Sequence, residues 1–386
     1  DIDIQRRESD LALGTFGRGF YILDDYAPLR MASENLFENE AVLFPVKKAR
    51  QYIQTSRFSG RTGRGWMGTS YYTAPNPPFG ATFTYYLKEK IQTRREKRKE
   101  AEKKAIEAGD APRIPTLDEL RAEDEEKEPA IILTVRDGDG AVVARVTGPR
   151  DKGIHRVSWN LRYPSSDPAE LKAGDEQPDW APDSVGHLVA PGTYSVTLER
   201  EVDGAVTQLA GPESFEVVPL NLATFAAADK NAALAFQKKV NRLNRAVQGA
   251  SRAAGEVQTR IAHLRRALLD TPAADPAMLA ELRELDMRLN RIVTELRGDE
   301  TRAKREEAAP PSISERVSNV LYGQWFVTSA PTKTQQDDYR YAADAFRKVL
   351  AELRTLATAD LAAFEARMEA AGAPWTPGRI PEWTDD

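Results

Sequence analysis

The sequence predicts a multidomain α+β protein in which strands come first and helices follow. Three observations predict it. Residues 11–23 hold two apolar runs about a Gly-bearing turn, a β-hairpin signal. Residues 79–219 hold short strand-like runs separated by turn residues, the pattern of an Ig-type β-sandwich. After residue 219, apolar residues recur at alternating spacings of four and three, the period of packed helices. The expected architecture is a terminal hairpin, an Ig-like β-sandwich with a charged helical insert, and a C-terminal antiparallel helical bundle.

Composition sets outer limits. At 386 residues, 41% hydrophobic and 29% charged, the chain has room for two or three domains. A net charge of −5 gives no global field toward nucleic acid or an anionic membrane. The absence of cysteine excludes disulfides, thiolate metal sites and cysteine nucleophiles. No apolar run approaches the roughly 20 residues of a membrane span, so no direct membrane span is expected.

In the hairpin, residues 11–13 (LAL) and 20–23 (FYIL) are the apolar runs; Asp24, Asp25 and Pro28 end the second. Both faces are apolar, as in a strand packed on two sides, and a lone hairpin is marginal in water. Residues 1–30 are therefore expected to complete a sheet supplied from outside this chain. Residues 31–78 read as a connector loop, pinned by Trp66, Tyr71 and Tyr72 and by Phe79 just beyond. "GRTGRG" within it is no P-loop, because no Gly-Lys-Ser/Thr follows.

The sandwich strands are expected at 81–87, 130–137, 141–148, 153–163 and 191–202, with Asp203-Gly204 as a hairpin turn and two short strands completing the set. Ile154, Val157, Trp159 and Leu161 are the heavy apolar positions of one strand, and Trp159 is expected as a core anchor. The insert at 88–128 is almost wholly charged. It reads as one helix ending at Gly109 and a second capped by Thr116 with Glu119. With few apolar residues to bury, it is a solvated excursion.

The bundle spans 220–371. Phe236, Val240, Leu243, Val247, Ala250, Ala254, Val257, Ile261, Leu264 and Leu268 form one seam. Asp275 followed by Pro276 opens a second helix, whose seam runs through Met278, Leu282, Leu285, Leu289, Ile292 and Leu296. Ser312 with Glu315, and Thr332 with Gln335, open two more as capping boxes. Short breaks favour antiparallel neighbours, which close a core without a partner chain. In the tail, 372–386, Trp375 and Trp383 are expected to dock onto the bundle.

Taken in order, these segments resemble a known family. "DLALGTFGRGFYILDDYAPLR" resembles the final blade of the large bacterial sortilin-like BNR-repeat β-propellers, often labelled glycosyl-hydrolase-like. "NPPFGATFTYYL" resembles the connector and first strand after that propeller. "GIHRVSWNLRYP" and "APGTYSVTL" look like the Ig-like domain that follows, and "LYGQWFVTSAPTKTQQDDYRYAADAFRKVLAEL" resembles the family's C-terminal helices. The resemblance implies that the hairpin closes a propeller whose other blades precede Asp1, and that the protein is extracytoplasmic. Two departures stand out. The propeller's Asp-box repeats do not occur here, and the insert at 88–128 is longer than the family's usual connection.

No constellation for chemistry stands out. His155, His187 and His263 lie far apart, without a zinc-helix spacing, so no metal and no cofactor are expected. His155 reads as a surface or edge residue. Arg18, Tyr21, Asp24 and Asp25 are the candidate interaction or propeller-edge residues. Sialidase-type propellers use a Tyr, an acid and Arg residues, but adjacent Asp24 and Asp25 point to opposite faces of a strand and cannot flank one bond. Three readings follow. The chain is a non-catalytic scaffold supporting protein or peptide binding by the propeller; or part of a glycoside hydrolase-like enzyme with its site in absent blades; or a subunit of a larger assembly joined through the bundle. Nucleic acid is not an expected partner.

Overall fold

The strands all lie before residue 220 and the long helices of the C-terminal part after it, so the protein is mixed α+β with several sheets and a helical C-terminal part. The computed structural model describes residues 1–17, 19–54, 68, 70, 74, 76–169, 185–381 and 383. It divides into two units, Asp1–Pro164 with Leu188–Leu222, and Ser165–His187 with Ala223–Asp386.

The first unit opens with β1 (Ile2–Gln5), β2 (Asp10–Thr15) and β3 (Gly19–Leu23), an antiparallel sheet in that order. The expected hairpin supplies β2 and β3; β1 adds a third strand. Its turn into β2 contains no Gly or Pro, and Ser9 instead takes the left-handed conformation, φ 56°. Short helices α1 (Ala27–Arg30) and α2 (Glu34–Phe37) follow, then β4 (Ala41–Leu43) and β5 (Ala49–Gln51). These two strands fall in the segment expected as loop. They are three residues each, too short to show a period, and they are held by pairing to distant partners. Trp66, Tyr71 and Tyr72 lie outside the described residues.

The rest of the unit comprises β6 (Ala81–Leu87), α3 (Arg94–Glu107), α4 (Leu117–Glu125), β7 (Ala130–Arg136), β8 (Val142–Gly148), β9 (Gly153–Trp159) and β10 (Arg162–Pro164). After β11 (Val185–Leu188) come β12 (Gly192–Val202) and β13 (Ala205–Pro219). β10 and β11 form a two-stranded ribbon, and the larger sheets are β4-β6-β9 and β5-β13-β12-β7-β8. Their pairings are antiparallel, except that β5 runs parallel to β13. Asp203 and Gly204 both take positive φ, 50° and 79°, as the tight turn between β12 and β13 requires.

One core joins the two sheets. Phe83, Tyr85 and Leu87 of β6 meet Ile131, Leu133 and Val135 of β7 and Val196 and Leu198 of β12, all buried. At one end an aromatic cluster spans the gap: Phe83 to Phe215 at 5.6 Å between ring centroids, Trp159 to Tyr194 at 5.7 Å and Tyr194 to Phe215 at 6.0 Å. Trp159 is 3% exposed and its Nε1 donates to the Arg162 carbonyl at 2.9 Å. Gly80 makes this packing possible: with φ 119°, a Cβ there would stand 1.9 Å from the Trp159 carbonyl oxygen. The phase of β9 differs from expectation at one end. His155, Val157 and Trp159 share the inner side, and Ile154 is 42% exposed. The half-buried His155 ring lies 5.3 Å from that of Tyr85.

The second unit is helical: α5 (Lys230–Leu269), α6 (Ala277–Arg297), α7 (Glu300–Ala303), α8 (Ile313–Trp325), α9 (Lys333–Thr355), a π turn (Leu356–Asp360) and α10 (Leu361–Ala370). The seams of α5 and α6 enter one core with Ile313 and Val317 of α8, Phe346 and Leu353 of α9, and Phe364 and Met368 of α10. Capping boxes form at Ser312 and Thr332. The Asp275 carboxylate accepts from the Ala277 amide at 2.8 Å, although Pro276, not Asp275, is the capping residue. Arg297, at the end of α6, donates to the Ser251 carbonyl midway along α5, so the two helices run antiparallel. The tail departs from expectation: Trp375 and Trp383 are 61% and 81% exposed. The Trp375 indole instead closes a turn by donating to the Arg379 carbonyl at 2.8 Å. Ala373 and Thr376 are buried in its place, and Arg379 pairs with Glu369 at 3.0 Å.

Two outcomes follow from this packing. Trp159→Ala removes the largest side chain of the aromatic cluster and costs about 3–5 kcal/mol, read as accelerated hydrogen exchange of the slowest β6 and β9 amides. Val257→Asp puts an unpaired charge in the helical core and costs at least about 3 kcal/mol. Light scattering and circular dichroism together would show lost helix rather than a folded, dissociated monomer.

Candidate functional site

The sheet β1-β2-β3 is the site that the sequence singles out, and pairing fixes which side chains share a face. Ile2 lies opposite Leu13 and Ile4 opposite Leu11; Leu13 lies opposite Tyr21 and Leu11 opposite Leu23. Directly opposed residues point to the same side. Ile2, Ile4, Leu11, Leu13, Tyr21 and Leu23 therefore form one continuous apolar face. The other face carries Phe20 and Ile22 beside Ala12 and Gly14.

None of this apolar surface is buried. Ile2 is 64% exposed, Tyr21 66%, Phe20 79% and Ile22 53%; Phe16, in the β2–β3 turn, is fully exposed. β1 and β3 are both edge strands. In the main body of this unit the same residue types lie inside, so this sheet leaves in water the kind of side chain that the rest of the unit buries.

Polar contacts hold the sheet at its rim. The Glu8 carboxylate accepts from Arg50 at 2.9 Å and lies 3.3 Å from the Lys47 ammonium. Burial alone would raise the Glu8 pKa, but Arg50 and Lys47 together hold it below the ordinary carboxylate range. Arg30 donates to Ser9 Oγ at 3.1 Å. Arg156, on the outer side of β9, donates to the carbonyls of Asp24 and Asp25.

The four candidate residues thus differ in placement. Tyr21 is on the apolar face of the sheet. Asp24 and Asp25 are half-buried in the strand exit. The Asp25 amide donates to the Asp10 carboxylate at 3.0 Å, the Asp25 carboxylate accepts from the Ala27 amide at 3.3 Å, and the Asp25 backbone is left-handed at φ 50°. These contacts shape the loop. Arg18 lies outside the described residues. Ile2 and Ile4 escape a reading of the hairpin alone; the alternation Ile-Asp-Ile-Gln is the signal that could have found them. Among the described residues, no three His, Asp or Glu side chains converge as metal ligands.

A second feature is the charged arm. α3 and α4 bury no residue, and each opens on a capping box, at Thr93 and Thr116. Arg98 reaches across to Glu123 with two hydrogen bonds, 2.6 and 2.8 Å. Arg150 ties the arm down through Glu96 at 2.7 Å. Between the arm and the β12–β13 turn is a cleft of about 680 Å³. Much of its charge is already matched, with Arg94 on Asp203 at 3.2 Å and Arg200 on Glu40 at 2.8 Å.

The Arg150 guanidinium and the Thr93 amide hold the Glu96 carboxyl down at about 2. The contact therefore contributes fully above the ordinary value near 4.5 and is lost as pH falls toward 2. An acid titration of the Thr93 and Glu96 amide shifts is expected to break near pH 2, and Arg150→Ala to move that break up toward 4.5. No protein-family model, no curated protein and no solved structure matches this chain.

Proposed function

We propose that this chain is a non-catalytic scaffold: the interaction region of an extracytoplasmic, sortilin-like β-propeller protein that supports protein or peptide binding or assembly. The observation that carries the proposal is the apolar face of Ile2, Ile4, Leu11, Leu13, Tyr21 and Leu23, exposed at Ile2, Ile4, Tyr21 and Leu23, on a sheet whose outer strands pair with no further strand among the described residues. In this reading β1-β2-β3 belongs to the final blade of a propeller, its faces covered by neighbouring blades. The two-sheet body is an Ig-like domain that braces the blade through Arg156 and Arg50.

The Ig-like reading is supported by the arrangement of three strands against four, with β5 adding a fifth to the larger sheet in parallel. It is also supported by Tyr194, near the start of β12, whose hydroxyl donates to the Ala190 carbonyl four residues upstream at 2.7 Å. That is the tyrosine corner of such domains. The helical unit is read as an antiparallel bundle with its own core.

Hydrogen exchange tests the proposal. In the 386-residue chain, the amides of β3 exchange fast and a hydrophobic dye binds. In a chain extended by the blades that this reading places before Asp1, the same amides become protected and dye binding falls. Strong protection of β3 in the 386-residue chain alone, or no change in the longer protein, would sink the reading.

A further inference from the structure

Strand β13 is unevenly covered. β12 pairs along its length from Ala205 to Val217, but on the other side β5 pairs only with Val217–Pro219. At Gly211 the strand β4 closes in, where an added Cβ would stand 3.1 Å from Leu43 Cδ2. On that side residues 205–210, about 20 Å of strand, meet no further strand among the described residues. The register shows which backbone groups this leaves over. A two-residue turn makes its flanking residues, Val202 and Ala205, a hydrogen-bonded pair, and bonded and open pairs then alternate. Arg200 with Thr207 is bonded; Glu201 with Val206 and Glu199 with Gln208 are open. The N–H and C=O groups of Val206 and Gln208 therefore point away from β12, and among the described residues they have no partner there.

Nothing in the sequence shields this edge. Residues 205–210 (AVTQLA) hold no charge and no proline, the usual means of keeping an edge strand from pairing. The inner side of the same stretch, Ala205, Thr207 and Leu209, lines the cleft of about 680 Å³ beside the charged arm, and Leu87, Ile91 and Val202 add apolar surface to it. The rim of the cleft is ionic. Arg94 pairs with Asp203 and Glu126, Arg200 with Glu40, Lys90 with Glu96 and Lys152 with Glu89. Two cations remain against one carboxylate, that of Glu38. Lys88 donates to the Glu38 carbonyl at 2.9 Å, and exposed Lys97 meets no acid among the described residues. Lys97 stands one turn from Arg94 on α3, on the side of the β12–β13 turn that Arg94 holds.

We propose that β13 takes up an extended segment of a partner protein as an added strand. Its main chain bonds Val206 and Gln208, every second side chain is apolar and enters the cleft, and an acidic side chain lies beside Lys97. Unpaired N–H and C=O groups repeating every second residue are the template for another strand. A rim of nearly balanced charge does not select a polyanion, which sets nucleic acid aside. A second copy of this chain, pairing through its own residues 205–210, would bring no acid to Lys97. The site belongs to the two-sheet body and does not rest on the exposed sheet β1-β2-β3, so either proposal can fail alone.

The test is fluorescence anisotropy and hydrogen exchange on the full chain with a labelled peptide of about eight residues, Val alternating with Thr and one Asp near its end. Because the main chain supplies the affinity, this generic strand suffices. Saturable binding is expected, with slowed exchange at the Val206 and Gln208 amides and none at Thr207, whose amide already bonds β12. Val206→Pro removes one outward donor and no bond to β12, an edge position that tolerates proline, and should weaken binding about tenfold. Lys97→Glu, at an exposed position, should leave the circular dichroism spectrum unchanged and weaken binding about threefold, with recovery when Lys replaces Asp in the peptide. No saturable binding, undiminished binding by either variant, or protection elsewhere than Val206 and Gln208 would overturn the proposal. So would light scattering that gave a dimer for the unliganded chain and a monomer for Val206→Pro, since a second copy would then hold the edge.

Discussion

The contact of Phe83, Trp159, Tyr194 and Phe215 between two sheets is what the first unit depends on. A three-stranded sheet and a five-stranded sheet each have one apolar face, and each covers the other. Everything attached to the unit hangs from the strands so fixed. β9 is the clearest case. Its inner side supplies Trp159, and its outer side supplies Arg156, which grips the carbonyls at the exit of β3. Arg150, just before β9, holds the charged arm through Glu96. Loss of the aromatic contact would loosen both appendages without touching either.

Against that background the sheet β1-β2-β3 is an exception within its own unit. The residue types are those of the core, yet the polar rim holds the sheet while its apolar face stays open. Burying a Leu, Ile or Phe side chain contributes about 1.5–3 kcal/mol. Ile2, Ile4 and Leu23 of this face are exposed and forgo that stabilisation, while Leu11 and Leu13 are only half-buried. The charged arm is the reverse case, with no buried residue and its order held by caps and ion pairs.

Much of the fold was legible because its signals are local. The capping boxes at Thr116, Ser312 and Thr332 are four-residue patterns, and the seams of α5 and α6 repeat over many turns. What was missed depends on partners far along the chain. β4 and β5 are three residues each and become strands only by pairing with β6 and β13. β1 follows no turn signal, because Ser9 does the work usually given to Gly. Trp375 looked like an anchor, but its indole N–H is used within its own turn and Ala373 and Thr376 are buried instead. At the candidate site the apolar runs were readable, while the clamp by Glu8, Lys47, Arg50 and Arg156 was not, since no pattern links positions so far apart.

The π turn at Leu356–Asp360 has a further consequence for how this chain can vary. A π turn accommodates one residue more than the regular α-helix around it. The residues after it are therefore set forward by about 100° of helical rotation relative to an uninterrupted helix. With that offset Leu361 and Met368 fall on the same side as Phe346 and Leu353 and are buried. Removing a single residue from 356–360 would give a more regular helix and a worse protein, with both side chains turned off the core. The register of α9 and that of α10 can thus drift independently in related chains, provided the turn between them absorbs the difference and Asp360 keeps its bond to Arg288.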